Sequence, residues 1–119
     1  MTTKQKGDFG ETTARGYLQA KGYEIAATNY RRGGCEIDII AKTGDVIAFV
    51  EVKYRKGLSK GEPYEAVTAG KRRRIIRAAR FYIAENGLDA ANFRFDVIEV
   101  FGTEYLEINH IEDAFDATE

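Results

Sequence analysis

The chain has 119 residues, 44% of them hydrophobic and 31% charged, and its formal net charge is −1. This length fits one domain, residues 1–119, and leaves no room for a second core. No apolar run approaches the roughly 18 residues that span a bilayer, and the polar first residues predict a protein that is not exported. The single cysteine excludes an internal disulfide and a zinc cluster of several thiolates, so we expect a cytoplasmic protein.

The near-zero total charge conceals two parts of opposite sign. Residues 1–84 carry 17 Lys and Arg against 9 Asp and Glu, a net of +8, whereas residues 85–119 carry 1 against 10, a net of −9. A basic body followed by an acidic C-terminal part predicts a polyanion as the partner of the basic body.

The N-terminal part of the chain predicts a helix followed by a strand. Asp8 is a suitable N-cap for a helix that ends near Ala20, with Gly22 as its stop. Glu11 borders the apolar side of this helix, where its ordinary role is to favour the helix dipole. The moderately apolar segment Tyr23–Tyr30 predicts the first strand, and a basic loop follows it.

The next segment predicts a β-hairpin, and its register can be argued. Strands over Glu36–Ala41 and Val46–Lys53 flank turn residues that include Gly44. A two-residue loop places Asp38 directly opposite Glu51, and a four-residue loop slips the register by two. Both arrangements keep the two carboxylates on one face, because side-chain parity has a period of two. A three-residue loop with a bulge would separate them.

Two carboxylates and one ammonium group therefore converge on one patch of sheet. Lys53 alternates with Glu51 and shares its face, while like charges opposite each other require a cation between them. Lys53 itself or a divalent ion such as Mg²⁺ would supply that charge. The alternative is the solvated face of an edge hairpin. The apolar run Val46–Val50 argues against it, because such a strand is typically covered on both faces.

A basic loop and a basic helix follow the hairpin. The loop spans residues 54–61, and the residues Pro63 to Val67 predict one short helical turn. Thr68 is the predicted N-cap of a longer helix that ends near Asn86, with Gly87 after it. This helix carries six cations within ten residues and no acidic partner before its last turn; they are Lys71, Arg72, Arg73, Arg74, Arg77 and Arg80. We favour a nucleic-acid backbone as their counterpart, and the acidic C-terminal part of the same chain is the alternative.

The C-terminal part predicts two strands and a tail. Alternating residues predict a strand over Asn92–Phe101, and a turn leads into a last strand, Tyr105–Ile108. His110 is the only histidine, and we expect it at the surface or on a sheet edge without a catalytic role. Residues 111–119 predict a mobile acidic tail. The element order is α-β-β-β-α-β-β, an α/β domain with a mixed β-sheet flanked by helices.

These motifs together resemble a known family. Asp38 followed by Glu51-Val52-Lys53 resembles the PD-(D/E)XK nuclease signature without its proline. With Gly10-Glu11 upstream and the basic helix downstream, the chain from about Gly7 to Val100 resembles the YraN-like family of uncharacterised bacterial proteins, which are similar to archaeal Holliday-junction resolvases.

The resemblance implies a restriction-endonuclease-like core and a metal-dependent nuclease that acts on DNA, with branched or recombination intermediates as candidate substrates. Glu11, Asp38, Glu51 and Lys53 would be catalytic. Asp38, Glu51 and the carbonyl of Val52 would ligate Mg²⁺ or Mn²⁺. Lys53 would orient the attacking water or stabilise the charge that develops on the phosphate.

Positive side chains around this position are the predicted nucleic-acid contacts: Arg31, Arg32, Arg55, Lys56, Lys71, Arg72, Arg73, Arg74 and Arg77. Enzymes that cut junctions present two active sites, so a homodimer is expected under that reading. Two other functions fit the same residues. One is a nucleic-acid-binding accessory protein that does not cut, and the other is a protein-interaction module that uses the basic helix.

Overall fold

A computed structural model describes residues 2–55, 67–88, 92–102 and 104–117 of the chain. The order of elements is the predicted α-β-β-β-α-β-β. The elements are α1 (Thr3–Ala20), β1 (Glu24–Arg32), β2 (Cys35–Thr43), β3 (Val46–Arg55), α2 (Ala69–Glu85), β4 (Asn92–Phe101) and β5 (Glu107–Phe115).

The strands form one mixed sheet in the order β1-β2-β3-β4-β5. Neighbouring strands pair antiparallel except β3 and β4, which pair in parallel. A parallel pair needs a crossover connection, and the segment that contains α2 supplies it. The predicted mixed α/β sheet is confirmed.

The central hairpin has the two-residue loop that fixes the predicted register. Thr43 pairs with Val46, and Gly44 adopts a positive φ of 59° between them. The ladder continues as far as Ile39 opposite Val50. One further step along it places Asp38 opposite Glu51, so turn chemistry alone brings the two carboxylates to the same height on the sheet.

The sheet is covered on both faces. One cluster packs against α1 and includes Ala14, Leu18, Ile39, Val50 and Val100. A second cluster packs against α2 and includes Ile40, Phe49, Ile75, Ala79 and Phe95. Strand β3 contributes to both clusters, which explains its continuous apolar run and confirms that it is a central strand.

Two predicted boundaries in the N-terminal part need correction. Helix α1 begins at Thr3 rather than near Asp8, because Thr2 and Gln5 form a capping box. Strand β1 continues to Arg32, so Arg31 and Arg32 belong to a strand and not to the predicted loop. The turn that follows is formed by two glycines with positive φ.

Helix α2 agrees with the sequence. Thr68 is its N-cap and accepts a hydrogen bond from the Lys71 N–H at 3.2 Å. The helix ends at Glu85, and Gly87 has a positive φ of 63°. The predicted short turn lies mostly outside the described residues, as do residues 56–61 of the basic loop.

The prediction of a mobile tail from residue 111 is wrong for its first half. Strand β5 runs from Glu107 to Phe115, well beyond the predicted end at Ile108. Phe115 is buried and its ring stacks on Phe95 with centroids 5.0 Å apart. The sequence pattern did not indicate this strand because acidic residues lie between its apolar residues. Its pairing with β4 has an irregular register, and Asp113 has a positive φ.

Neither helix is both long and apolar enough to cross a membrane, within the part of the chain that the structure describes.

Candidate functional site

Asp38 and Glu51 come together where β2 and β3 separate. The regular ladder ends at Ile39 and Val50. Beyond it, the Val52 N–H donates a hydrogen bond of 2.8 Å to Asp38 Oδ2. The Asp38 carboxylate thus takes the place of a backbone acceptor and holds the two strands together. Glu51 beside it is only 4% exposed, and Asp38 is half-buried.

The N-terminal turn of α2 lies over these carboxylates and encloses a cavity of about 630 Å³. The cavity is lined by Glu36, Asp38, Glu51, Thr68, Gly70, Lys71, Arg74 and Ile75. The Lys71 ammonium forms an ion pair with Glu51, with Nζ 2.6 Å from Oε1. Lys71 of helix α2 therefore supplies a positive charge beside the two carboxylates of the hairpin.

The electrostatics of the cavity follow from this crowding. Burial, and then the negative charge of Glu51, raise the pKa of Asp38 to about 7. The Val52 N–H and the Lys71 ammonium oppose this shift. Burial alone would lower the pKa of Lys71, but its hydrogen bond to Glu51 and the nearby carboxylates raise it. Asp38 thus exchanges its proton near neutral pH, which is unusual for an aspartate.

The donor set suits a hard divalent cation. Asp38 and Glu51 present carboxylate oxygens, and the negative charge of Glu51 adds to burial in raising the pKa of Asp38. Among the described residues, no group of three or more His, Cys, Asp or Glu side chains is arranged to hold a metal. A cation here would have two carboxylates and take its other ligands from backbone, water and substrate, which is the pattern that Mg²⁺ prefers.

Glu11 and Lys53 lie outside the cavity lining. Glu11 accepts a hydrogen bond of 3.0 Å from Asn29 Nδ2. Burial is the main cause that raises the pKa of Glu11, and the charge of Glu36 adds to it. Lys53 is half-buried on β3 and forms no ion pair with a residue in the described ranges. Lys71, rather than Lys53, forms the ion pair that neutralises Glu51.

Three of the predicted basic contacts that lie outside α2 form ion pairs. Arg31 Nε lies 2.6 Å from Glu36 Oε2, and Arg32 Nε lies 2.9 Å from Glu85 Oε2. Arg55 Nε lies 3.5 Å from Glu99 Oε2. Their charges are partly neutralised within the fold. Lys56 lies outside the described residues.

The cations of α2 are in a different situation. Four of them form no ion pair with any acidic residue that the structure describes: Arg73, Arg74, Arg77 and Arg80. Arg74 donates to the Gly34 carbonyl at 3.1 Å, and Arg80 to the Ala117 carbonyl at 3.5 Å. Glu112 of β5 pairs with Arg94 at 3.0 Å instead. The described part of the acidic C-terminal region therefore does not neutralise these four arginines.

His110 lies on the edge strand β5, which is one of the two positions expected for it, but it does not lie at the surface. Its side chain is only 4% exposed, with Nε2 2.8 Å from Asp96 Oδ2 and Nδ1 3.2 Å from Tyr17 Oη. Asp96 is fully buried on β4 and is also bound by Arg94 and the Asp113 N–H. Burial would raise the pKa of Asp96, but these hydrogen bonds lower it. The network ties β4, β5 and α1 together and gives His110 a structural role.

Sequence reasoning missed that Lys71 is a member of the carboxylate cluster and that Thr68, Gly70 and Ile75 line the cavity. Their positions depend on how α2 crosses the sheet. The available signal was the N-cap at Thr68, which fixes where the helix starts and hence which residues occupy its first turn.

Comparison with known proteins identifies the family. Residues 10–100 match the model of "Uncharacterised protein family UPF0102". A UPF0102 protein of Clostridioides difficile (strain 630) is 51% identical over 115 residues, which cover 97% of this chain and 100% of that protein. One of Alkaliphilus metalliredigens (strain QYMF) is 48% identical over 113 residues, covering 95% and 99%. One of Caldicellulosiruptor saccharolyticus is 42% identical over 118 residues, covering 97% and 100%. The chain therefore belongs to the UPF0102 family, the YraN-like family that its motifs resemble.

Proposed function

We propose that this protein is a divalent-metal-dependent nuclease that hydrolyses phosphodiester bonds in DNA. The observation that carries the proposal is the pair formed by half-buried Asp38 and buried Glu51, which line one cavity beside the cationic helix α2. Lys71 offsets the charge of Glu51, whereas burial and the charge of Glu51 raise the pKa of Asp38 to about 7, so a divalent cation would stabilise the ionised form of the pair. Two arginines on the same helix that pair with no acidic residue in the described ranges, Arg73 and Arg77, would be counterparts for a phosphate backbone.

Asp38 and Glu51 would hold Mg²⁺ or Mn²⁺, with the Val52 carbonyl as the third protein ligand, and the bound ion would supply a water of lowered pKa and positive charge at the scissile phosphate. Asp38 is already oriented for this task, because the Val52 N–H fixes its Oδ2.

Lys71 takes the role of the cation that neutralises Glu51. Its Nζ lies 2.6 Å from Glu51 Oε1, and Arg74 lines the same cavity one turn further along α2. When a phosphate group enters, both side chains are placed to donate to its oxygens and to stabilise the added negative charge of the transition state. Lys71 is thus the first candidate for the catalytic lysine on geometric grounds.

Lys53 and Glu11 keep secondary roles in this proposal. Lys53 lies two residues after Glu51 on β3, so strand alternation places it on the same face. It would orient the attacking water or stabilise charge at the phosphorus. Glu11, whose pKa is raised mainly by burial, would complete the site from α1.

The test is cleavage of labelled single-stranded, duplex, flap and four-way-junction DNA with Mg²⁺ or Mn²⁺. We expect Asp38→Asn and Glu51→Gln each to lose at least about 10²-fold in rate, the size typical of a preorganised electrostatic group. Lys71→Met should lose more than Lys53→Ala. The control is Asp45→Asn, which neutralises an exposed aspartate at the far end of the same hairpin.

Three outcomes would contradict the proposal. Cutting that survives in Asp38→Asn would assign the activity to another site. Salt-sensitive DNA binding without cutting, equal in wild type and Asp38→Asn, would make the protein a nucleic-acid-binding accessory. Binding of acidic proteins alone, insensitive to Mg²⁺ and lost when the arginines of α2 are neutralised, would make it a protein-interaction module.

A further inference from the structure

A second concave surface lies on α2, one turn beyond the carboxylate cavity. It is a groove of about 340 Å³ lined by Arg77, Arg80, Phe81 and Ala84. These positions are spaced three and four apart, so they share one face of the helix. Phe81 remains 39% exposed, although burying a phenylalanine is normally favourable. The groove thus combines an exposed aromatic ring with two arginine side chains.

The β1–β2 turn presses against this ring and holds it. At Gly33, φ is +59°, and a Cβ there would lie 3.0 Å from Phe81 Cε2 and 3.5 Å from Arg77 Nε. Only a glycine allows the turn to approach so closely. The edge of Phe81 is therefore fixed by backbone while part of the ring stays open to solvent. A ring held in this way loses little conformational entropy when a planar group stacks on it.

The charge around the groove selects an anionic ligand. Arg77 and Arg80 form no ion pair with an acidic residue in the described ranges; Arg80 donates to the Ala117 carbonyl. A flat apolar surface between two guanidinium groups fits a nucleobase on the ring with phosphates on the arginines, because base–aromatic stacking and backbone neutralisation are the two contacts that bind single strands.

The groove is continuous with the proposed active site. Arg74 lines the carboxylate cavity, and Arg77 lies one turn later at the groove. From Lys71 to Phe81 the helix advances about 15 Å at a rise of about 1.5 Å per residue. Stacked nucleotides advance about 3.4 Å each, so about four nucleotides reach from the carboxylates to the ring.

We propose that the groove of Arg77, Arg80, Phe81 and Ala84 binds an unpaired base of a DNA single strand whose phosphates lie along Arg74 and Arg77. This inference rests on the proposed function, and it names the substrate class as DNA with a single-stranded segment next to the scissile bond. An acidic protein segment would satisfy the arginines but has no planar group to stack on the ring, so the base is the better fit.

Binding without cutting tests the groove separately from the nuclease. We would measure fluorescence anisotropy of a labelled 12-nucleotide oligo(dT) and of a blunt duplex of equal length, in EDTA. Phe81→Leu keeps an apolar side chain of similar size but cannot stack. We expect it to weaken single-strand binding about 5- to 150-fold, the effect of losing one base–aromatic stack, and to change duplex binding less than twofold. Phe93→Leu removes another exposed ring and should change neither.

A direct readout is available because the chain contains no tryptophan. Phe81→Trp introduces a single tryptophan, and oligo(dT) should quench its fluorescence on stacking. The fluorescence of the tryptophan in Phe93→Trp should not change. Equal losses on single strand and duplex in Phe81→Leu, or no quenching at position 81, would overturn the proposal. Quenching of Trp at that position by poly-glutamate but not by oligo(dT) would assign the groove to a protein partner. Phe81-dependent binding with no cleavage of any DNA would support the groove and overturn the nuclease.

Discussion

At the scale of single residues, Asp38 and Asp96 show how one side-chain type acquires opposite properties. Both are withdrawn from water on neighbouring parts of the sheet. Asp96 receives hydrogen bonds from His110, Arg94 and a backbone N–H, which lower its pKa against the effect of burial. Asp38 receives one backbone N–H and faces the charge of Glu51, so burial and that charge raise its pKa to about 7. Asp96 has its charge balanced within the fold, whereas Asp38 keeps the charge of Glu51 beside it, which the proposed metal ion would offset.

This difference predicts a pH dependence of stability. The pKa of Asp38 is near 3.9 in the unfolded chain and about 7 in the fold, so the native state binds more protons between these values. The free energy of unfolding should therefore fall as pH rises from about 4 to about 7, by up to about 4 kcal/mol for three pKa units. Asp38→Asn removes this loss, because asparagine still accepts from the Val52 N–H. We expect Asp38→Asn to be more stable than wild type at pH 8.

Urea denaturation of wild type and Asp38→Asn at pH 4 and pH 8 checks this expectation. The stability difference should be large at pH 8 and small at pH 4. Glu51→Gln should lower the midpoint of Asp38 titration in NMR, and Lys71→Met should raise it. A gap between wild type and Asp38→Asn that does not vary with pH would contradict the assigned cause.

At the scale of elements, a close approach at Gly10 shows how helix α1 packs on the sheet. A Cβ on Gly10 would lie 3.0 Å from Tyr54 Cβ and 3.6 Å from Val52 Cγ1. The helix therefore approaches β3 closely beside the strand end that carries the candidate site. Any side chain at this position would push α1 away from the sheet.

Two glycines of the same helix give a matched test. Gly10→Val should lower the free energy of unfolding by about 1–3 kcal/mol through overpacking. Gly16 has no heavy atom within 4 Å of its Cβ position, so Gly16→Val should be neutral or slightly stabilising, since valine has the higher helix propensity. Thermal denaturation followed by circular dichroism compares them. Equal effects at both positions would show that helix propensity, rather than close packing, governs α1.

Local chemistry explains which elements could be predicted from sequence. The hairpin register followed from Gly44 and side-chain parity, and the start of α2 followed from Thr68, because turns and caps are decided by neighbouring residues. Strand β5 was missed because acidic residues interrupt its apolar positions. The contact between Lys71 and Glu51 joins positions 20 residues apart and depends on the crossover of α2, which no local pattern specifies.

At the scale of the whole molecule, the net charge of −1 hides a segregation that the fold preserves. The described acidic residues of β4 and β5 are largely occupied: Asp96 and Glu112 with Arg94, and Glu99 with Arg55. The cations of α2 have no such partners apart from Lys71 with Glu51 and the contacts of Arg72. Positive charge is thus concentrated on one face of a protein whose net charge is slightly negative, and under the proposed function this face would attract the phosphates of DNA.

This segregation predicts the salt dependence of DNA binding. If Lys71, Arg73, Arg74 and Arg77 each neutralise a phosphate, the logarithm of the association constant for oligo(dT) should fall with the logarithm of salt concentration at a slope of about −3, because each contact to a single strand contributes about −0.7. Replacing Arg73 and Arg74 by Gln should reduce the slope to about −1.4. Lys42→Gln, near the hairpin turn at the opposite end of β2, should leave this slope unchanged.

Titrations at several salt concentrations distinguish the loss of a phosphate contact from a loss of folding stability. A destabilised variant loses affinity at every salt concentration, but the slope stays the same. A slope that Lys42→Gln reduces as much as the arginine variant does would mean that total charge, and not the face of α2, attracts the DNA.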